Sequence, residues 1–322
     1  MFFAAITILI VSAVVFAIFS YLPFDPASLT CGQRCTPQII AGNRIKLGFD
    51  KPVYEQFWLF ISGIFAGRTY GTGQAAFSCP APSFGYSFNE NACVTDMIKE
   101  AMPITVNLAV GALIIWLIIG VGLGVLAAKF KNRWPDTSSS VFVLLGTSLP
   151  TFVTGLALLI WVSIKWKIIP MSLDGYVSVL NNPGRWFMYF ILPWITLAIA
   201  YAALYTRFTR AAVLDTLGED YIRTARAKGV KEGTVLFKHT LRAVLAPIIT
   251  LAGLDFAGLI GGAIITETIF NLPGLGRLTL RSTYEFDLPV VLATTILAAV
   301  VVIVMNLIVD MFYAVLDPRV RM

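Results

Sequence analysis

Six long apolar segments fix the class of protein to which this chain belongs. They lie at residues 2–22, 104–128, 141–161, 186–205, 245–270 and 289–316. About 20 apolar residues suffice for a helix to cross the hydrocarbon layer of a bilayer. Because that layer offers the backbone no hydrogen-bond partners, each segment must be helical. The sequence therefore predicts an all-α integral membrane protein with six transmembrane helices and both termini on one side.

Composition and net charge agree with a membrane protein. Of the 322 residues, 57% are hydrophobic and 13% are charged, and the mean hydropathy is +0.80. A soluble domain needs a larger share of charged residues for its surface. The net charge of +6 would suggest nucleic acid as the partner of a soluble protein. Here the basic residues flank apolar segments, so we expect contact with membrane lipid and no nucleic-acid partner.

The distribution of basic residues predicts the orientation in the membrane. Thirteen of the 24 Lys and Arg residues lie in the loops 129–140 and 206–242 and in the C-terminal tail. Under the positive-inside rule these parts are cytoplasmic. Both termini are then cytoplasmic as well, and the long region between the first two apolar segments is external.

Three regions follow from this topology. Residues 1–22 are predicted to form transmembrane helix 1 rather than a signal peptide, because a basic leader and a small-residue cleavage site are missing. Residues 23–102 form an extracytoplasmic region. Residues 103–322 hold the other five helices, among them a helix expected to kink at Pro150, and a cytoplasmic loop at about 215–242.

All four cysteines lie in the external region 23–102. Four such residues could ligate zinc, but an even set in one external segment favours disulfides. Three connectivities are possible, and sequence proximity favours Cys31 with Cys35 and Cys79 with Cys93. We expect no metal site.

The longest charged passage of the chain, 219–247, predicts a short capped helix. Glu219 and Asp220 supply the negative charge that stabilises a helix N-terminus. Gly229 is a natural C-terminal stop, since glycine adopts the left-handed backbone found there. The passage lies between two apolar segments, so this helix is presented on one face of the membrane.

The run Gly218-Glu219-Asp220-Tyr221-Ile222-Arg223-Thr224-Ala225-Arg226-Ala227-Lys228-Gly229 resembles the EAA loop of binding-protein-dependent ABC import permeases. Arg223 stands where the general motif is acidic, and Pro247 follows the glycine at a longer distance than in sugar permeases. Both features are usual in the peptide and nickel branch, so the chain is similar to a dipeptide or oligopeptide permease. The resemblance covers nearly the whole chain outside an insertion at 69–83.

The resemblance implies the type I ABC importer fold, with an external insertion between helices 1 and 2, in the inner or plasma membrane of a bacterium or archaeon. The expected partners are a second homologous permease, two cytoplasmic ATP-binding subunits, an external substrate-binding protein and a peptide substrate. The short helix would contact the ATPase through Glu219, Asp220, Arg223, Thr224, Ala225, Arg226 and Gly229.

Motifs for catalysis are missing from the sequence. There is no G-x-x-x-x-G-K-[ST] phosphate loop, no H-E-x-x-H and no nucleophile elbow. We therefore predict a transport subunit that is not an enzyme and has no cofactor, with ATP hydrolysis in partner subunits.

Acidic residues inside the predicted spans are candidates for the translocation pathway, because a charge at membrane depth needs a partner or a cavity. Asp255 could line the pathway with Gly258, one turn away, or bond to a neighbouring helix. Glu267 is placed at the external mouth, with a structural role. Asp310 is expected to reach the headgroups.

Two classes of function follow. The first is a permease subunit of an ATP-driven importer for di- or oligopeptides, with nickel or another small solute as the alternative cargo. The second is a self-contained channel or secondary carrier, which would leave the capped helix at 219–229 without a role.

Overall fold

The computed structural model describes residues 2–20, 36–47, 50–70, 77–87, 89–169 and 176–316. Cys31 and Cys35, with the disulfide expected between them, lie outside these ranges. The described chain is mostly helical and divides into two compact units. The first comprises Met1–Thr105, Ile260–Ile264 and Pro273–Ile303, and the second comprises Val106–Leu259, Ile265–Leu272 and Val304–Met322.

Helices account for most of the described elements. In chain order these are α1 (Phe2–Ser20), α2 (Pro37–Leu47), α3 (Val53–Ala66), α4 (Val94–Lys129), α5 (Trp134–Ser148), α6 (Thr151–Leu158), α7 (Pro183–Leu217), α8 (Asp220–Ala227), α9 (Glu232–Thr234), α10 (Leu241–Ile260), α11 (Ile264–Ile269), α12 (Leu275–Tyr284) and α13 (Leu288–Leu316). Two π-helical segments, Leu159–Lys165 and Val235–Thr240, continue α6 and α9.

Two small β-hairpins in the first unit were not predicted. Strand β1 (Arg68–Tyr70) pairs antiparallel with β2 (Phe77–Cys79), and β3 (Tyr86–Ser87) pairs with β4 (Ala92–Cys93). A disulfide between Cys79 and Cys93 joins the hairpins and confirms that predicted pairing. Strands of two or three residues are too short to show an alternating pattern, so the sequence could not reveal them.

The core of the first unit consists of two apolar clusters. In one, Phe16 of α1 packs edge-on against Phe57 of α3, with ring centroids 5.6 Å apart, and Phe60 and Leu292 complete it. The other joins the start of α4 to α12 and α13 through Val94, Ile98, Ala101, Leu275, Val290 and Ala293. The described residues of α3 and of the segment before α4 are therefore packed against α1, α12 and α13.

Glycines in the second unit allow α4 and α5 to pack closely against α7. A Cβ atom added to the glycine would lie 2.6–2.7 Å from a partner Cβ at three places, Gly120 with Tyr205, Gly124 with Thr209 and Gly146 with Ala203. Four residues before Gly120 on α4, the fully buried Trp116 stacks on Tyr201 of α7, with ring centroids 4.6 Å apart. Small residues at helix contacts are typical of membrane proteins.

Four helical stretches in the described part of the chain are long and apolar enough to cross a membrane: Val94–Lys129, Pro183–Leu217, Glu232–Ile260 and Leu288–Val309. A fifth candidate is the pair Trp134–Ser148 and Thr151–Lys165, which is bent by 99° at its break. This break contains Pro150, where a kink was expected. The apolar part of α1, Ala5–Ile18, is shorter, so the sixth span stays a prediction.

The hydropathy of the sequence predicted only the apolar part of the two longest helices, α4 and α7. α4 begins at Val94, ten residues before the expected start and inside the region predicted as external. α7 has 35 residues, which corresponds to roughly 50 Å and exceeds the bilayer core. Their polar ends continue the helix because backbone hydrogen bonding does not depend on side-chain hydropathy.

The predicted span at 245–270 is wrong in its external part. The helix ends at Ile260, and α11 starts only at Ile264. Gly262 in the break has φ +133°, a backbone conformation that glycine adopts far more readily than other residues. A Cβ atom there would also lie 2.9 Å from the Gly276 Cα, so the break depends on a close approach that apolar patterning cannot reveal.

Candidate coupling helix and intramembrane carboxylate

The short helix predicted in the cytoplasmic loop is present as α8. It begins at Asp220, two residues after α7 ends, and Glu219 occupies the N-cap with an extended backbone. The Glu219 side chain makes no capping hydrogen bond, so its contribution is limited to its charge near the helix N-terminus. Asp220 forms an exposed ion pair with Arg223 at 3.3 Å, which contributes little to stability.

The C-terminus of α8 is a complete Schellman motif. Gly229 has φ +77°, and its N–H donates to the Arg226 carbonyl at 2.9 Å. The N–H of Val230 donates to the Ala225 carbonyl at 3.2 Å, which is the second bond of this motif. The predicted stop at Gly229 is thus present, and it depends on the left-handed conformation of that residue.

Buried and charged contacts hold α8 in place. Ile222 is fully buried, which anchors one face of the helix. On the far side of the turn, Arg226 bonds both carboxylate oxygens of Glu232, with Nε–Oε1 2.8 Å and Nη2–Oε2 3.3 Å. The opposite face presents the exposed residues Tyr221 and Thr224. The seven predicted coupling residues therefore form one helix and its C-terminal turn.

The residues after α8 carry a feature that the sequence did not reveal. Val235–Thr240 is π-helical, with Val235 and Leu236 buried and Phe237 62% exposed. A π-helical turn widens the helix locally and is frequent at functional sites. It places a large exposed aromatic side chain a short distance along the chain from α8.

A buried ion pair joins α5 to α7 and was also missed. Arg210 donates from Nε to Asp136 Oδ1 at 2.6 Å and from Nη2 to Oδ2 at 2.9 Å. The backbone N–H of Asn132 donates to the same carboxylate at 2.9 Å. The Asp136 side chain is 8% exposed, so its charge depends on these donors. The two partners are 74 residues apart in the chain, and no local pattern links them.

The intramembrane acid Asp255 has a specific partner. The Tyr205 hydroxyl of α7 donates a 2.6 Å hydrogen bond to Asp255 Oδ2 of α10. Of the two alternatives left open by the sequence, a bond to a neighbouring helix is therefore present. Asp255 as a whole residue keeps partial exposure.

The other predicted pathway residues lie in different surroundings. Gly258 is exposed, and an added Cβ there would meet nothing within 4 Å. Glu267 lies on α11 and is fully buried. Asp310 falls in α13, but its side chain lies outside the described part of the structure.

Comparison with known proteins decides the family. Residues 120–322 match the model described as "Binding-protein-dependent transport system inner membrane component". Residues 1–109 match the model of the N-terminal part of such membrane components. The chain belongs to this family. It is a permease subunit of an ABC importer, and it has no ATPase activity of its own because that activity lies in partner subunits.

Relatives of this permease align over almost its full length. It is 38% identical over 315 residues to the glutathione transport system permease protein GsiC of Escherichia coli (strain K12), covering 98% of this chain and 95% of that protein. The GsiC of Shigella dysenteriae serotype 1 (strain Sd197) gives the same values. The identity confirms the predicted resemblance to the peptide and nickel branch.

A solved structure supports the type I importer fold of this permease. In the MetNI methionine ABC transporter, described in inward-facing conformations, one chain superposes with a TM-score of 0.51 at 16% identity. The match covers 69% of this permease and 97% of that chain. The permease is thus a multi-pass inner-membrane protein, and its family implies an ATPase and a substrate-binding protein as partners. The alternative of a self-contained channel or carrier is excluded by this membership.

Proposed function

We propose that this permease forms, with a second homologous permease, the membrane pathway for di- or oligopeptides. The observation that carries the proposal is the full-length identity of 38% to permeases named for glutathione transport, since glutathione is itself a tripeptide. The substrate would be delivered by an external binding protein and moved at the expense of ATP hydrolysed by two cytoplasmic subunits.

Coupling to the ATPase is assigned to α8 and its C-terminal turn. The helix is short, anchored by the buried Ile222 and closed by the Gly229 turn. Such a body transmits force as a unit, whereas a flexible loop would absorb the motion of its partner. The exposed charges of Arg223 and Lys228 and the exposed ring of Tyr221 provide the contact surface for the ATP-binding subunit.

The orientation proposed for the chain has both termini in the cytoplasm. Support comes from the positive-inside distribution of Lys and Arg and from the Cys79–Cys93 disulfide, which favours an oxidising compartment for the region 23–102. α8 is then cytoplasmic, on the side where ATP is available.

The pathway is assigned to the neighbourhood of Asp255 and Gly258, with Glu267 near its external end. The partial exposure of Asp255 and the open space beside Gly258 support this assignment. A peptide presents a variable set of side chains, so a wide cavity with few specific contacts suits it. Selection of the peptide is then left to the binding protein.

Uptake by the reconstituted importer tests the proposal. The complete complex is reconstituted in proteoliposomes. The binding protein is added on the external side and ATP on the cytoplasmic side, and labelled di- and tripeptides or nickel ions are supplied with the binding protein. We expect ATP-dependent accumulation of peptide and none of nickel. Accumulation of nickel without peptide would assign this permease to the other cargo of its branch.

A further inference from the structure

A small cavity in the first unit has no role in the function proposed above. Its polar wall includes Arg68, Tyr70 and Ser83, and its apolar wall includes Phe16, Phe60 and Leu292. The apolar residues come from α1, α3 and α13, whereas the polar ones belong to β1 and the segment between β2 and β3. The cavity is therefore amphipathic, with one wall made by helices of apolar composition and the other by the hairpin region.

Ser83 is the group that most needs a ligand. It is 2% exposed, and its hydroxyl forms no hydrogen bond of normal geometry within the described part of the chain. The Tyr70 phenol, which is 4% exposed, is its polar neighbour. A buried hydroxyl without a well-formed hydrogen bond is unfavourable, so a ligand oxygen in the cavity would satisfy it.

Arg68 supplies positive charge at the same wall. Its guanidinium carbon lies 4.8 Å from the centre of the Tyr70 ring, which fixes the group by a cation–π contact. Tyr70 in turn stacks on Phe77, with centroids 5.7 Å apart, and the Cys79–Cys93 disulfide ties this hairpin to the next one. The polar wall is thus rigid and suited to an anion, because Arg binds phosphate oxygens in a fork geometry.

The size of the cavity limits what it can hold. Its volume is about 70 Å³, far below the roughly 300–1,000 Å³ of sites that bury a whole drug-sized molecule. A peptide is too large, but a small anionic group can enter if the rest of its molecule stays outside. On the face of α1 that carries Phe16, Leu9 lies two turns earlier and is 48% exposed, so it offers an apolar surface for such a remainder.

We propose that this cavity binds the phosphate group of an anionic phospholipid, whose acyl chains lie along α1 on the face of Leu9 and Phe16. The site would anchor the external hairpins at the membrane surface. The inference rests on the external orientation proposed above for residues 23–102. It makes no use of the peptide, of ATP or of the coupling helix.

Variants of Ser83 and Arg68 in the assembled importer test the site. Ser83→Ala removes a hydroxyl that forms no hydrogen bond of normal geometry in the described residues, so the protein should fold at least as well as the wild type. The matched control is Ser163→Ala, since Ser163 is also buried, 7% exposed and without a hydrogen-bond partner in the described chain, but lies in the second unit. Arg68→Gln removes the charge.

Native mass spectrometry and thermal unfolding in detergent then measure binding of phosphatidylglycerol, phosphatidylcholine or inorganic phosphate. We expect phosphatidylglycerol to bind and to raise the unfolding temperature of the wild type and of S163A. In S83A and R68Q its affinity should fall by about tenfold, as expected for the loss of one charge-assisted hydrogen bond.

Three results would overturn the proposal. The first is that phosphatidylcholine binds as tightly as phosphatidylglycerol. The second is that inorganic phosphate raises the unfolding temperature as much as the lipid does. The third is that the affinity for phosphatidylglycerol is unchanged in both S83A and R68Q. Peptide uptake measured on the same preparations separates this site from the proposed function. Wild-type importer that binds the lipid but transports no peptide would contradict only the function, whereas normal uptake without lipid binding would contradict only the site.

Discussion

The hydroxyl of Tyr205 on α7 lies 2.6 Å from the carboxylate of Asp255 on α10 and donates a hydrogen bond to it. This bond satisfies an acid that would otherwise be unfavourable at membrane depth. It also joins two helices at the position where Asp255 retains partial exposure. The residue therefore has a structural partner and an accessible side, and its two roles can be separated by substitution.

Replacing Asp255 by Asn should change transport only modestly. The amide can still accept the Tyr205 hydrogen bond, and a wide peptide pathway does not depend on one charge. Tyr205→Phe removes the bond itself, which should destabilise the protein by about 1 kcal/mol. Peptide uptake and ATPase activity of the reconstituted importer measure the first effect, and thermal unfolding measures the second. If D255N abolished uptake while assembly and ATPase activity were intact, a defined substrate site at Asp255 would have to replace the wide conduit.

The ion pair of Arg210 and Asp136 should contribute strongly to stability. The Asp136 side chain is 8% exposed, so Arg210→Ala leaves a buried carboxylate without its main donor. We expect a loss of about 2 kcal/mol or more. The double variant with Asp136→Ala should recover part of that loss, because it removes the unpaired charge. A double-mutant cycle followed by thermal unfolding checks this, and strictly additive losses would show that the two side chains do not interact.

Both disulfides can be tested by chemistry on protein from the oxidising compartment. The Cys79–Cys93 bridge closes a loop with a sequence separation of 14 residues, which stabilises by about 3 kcal/mol in the chain-entropy model. Cys79→Ser should therefore lower the unfolding temperature. Non-reducing peptide mapping should recover this bridge and a second one between Cys31 and Cys35. Four free thiols, or a link between Cys35 and Cys79, would contradict the pairing.

Asp287 should make the stability of the first unit depend on pH. Burial raises the pKa of this carboxyl, and the charges of Glu285 and Glu90 raise it further, while the hydrogen bond donated by Ser87 opposes the shift. A raised pKa means that the folded state holds the proton more tightly than the unfolded state does. The associated stability is complete below the unfolded pKa near 3.9 and is lost as the pH rises through the folded value.

The consequence is a fall of the unfolding temperature with rising pH above about 4. Asp287→Asn should flatten this dependence, because the amide does not titrate. Scans of unfolding against pH for the wild type and D287N provide the measurement. Parallel profiles for the two proteins would show that the dependence comes from another group.

Structural features that depend on residues close together in the chain could be predicted from the sequence. The helix around Ala225, its stop at Gly229 and the Cys79–Cys93 disulfide depend on local composition and spacing, and the structure has all three. The class of all-α integral membrane protein followed from the apolar segments. The bend near Pro150 followed from the missing N–H of proline, although its size of 99° did not.

Features that depend on contacts between distant residues could not be predicted. Tyr205 and Asp255 are 50 residues apart, and Arg210 and Asp136 are 74 apart. Nothing in a single sequence pairs them. The break at Gly262 was missed for a related reason, since the residues around it are as apolar as a continuous span. It is made by the approach of Gly276, which only the folded chain provides.

The role of α8 in transport is tested by measuring, for a Gly229 variant, how many peptide molecules are transported per ATP hydrolysed. Gly229 has φ +77°, and nothing lies within 4 Å of an added Cβ, so Gly229→Val acts through backbone strain alone. Left-handed backbone costs other residues roughly 1–2 kcal/mol. Gly233→Val is the matched control, because Gly233 has equally open surroundings and lies in the next short helix without a positive φ.

We expect the importer with G233V to transport peptide at the wild-type ratio of molecules moved per ATP hydrolysed. With G229V that ratio should fall by about tenfold, which corresponds to about 1.4 kcal/mol and lies within the range of the strain, while ATP hydrolysis continues. A correctly inserted and assembled G229V importer that keeps the wild-type ratio would show that α8 is not the element through which ATP hydrolysis drives peptide import.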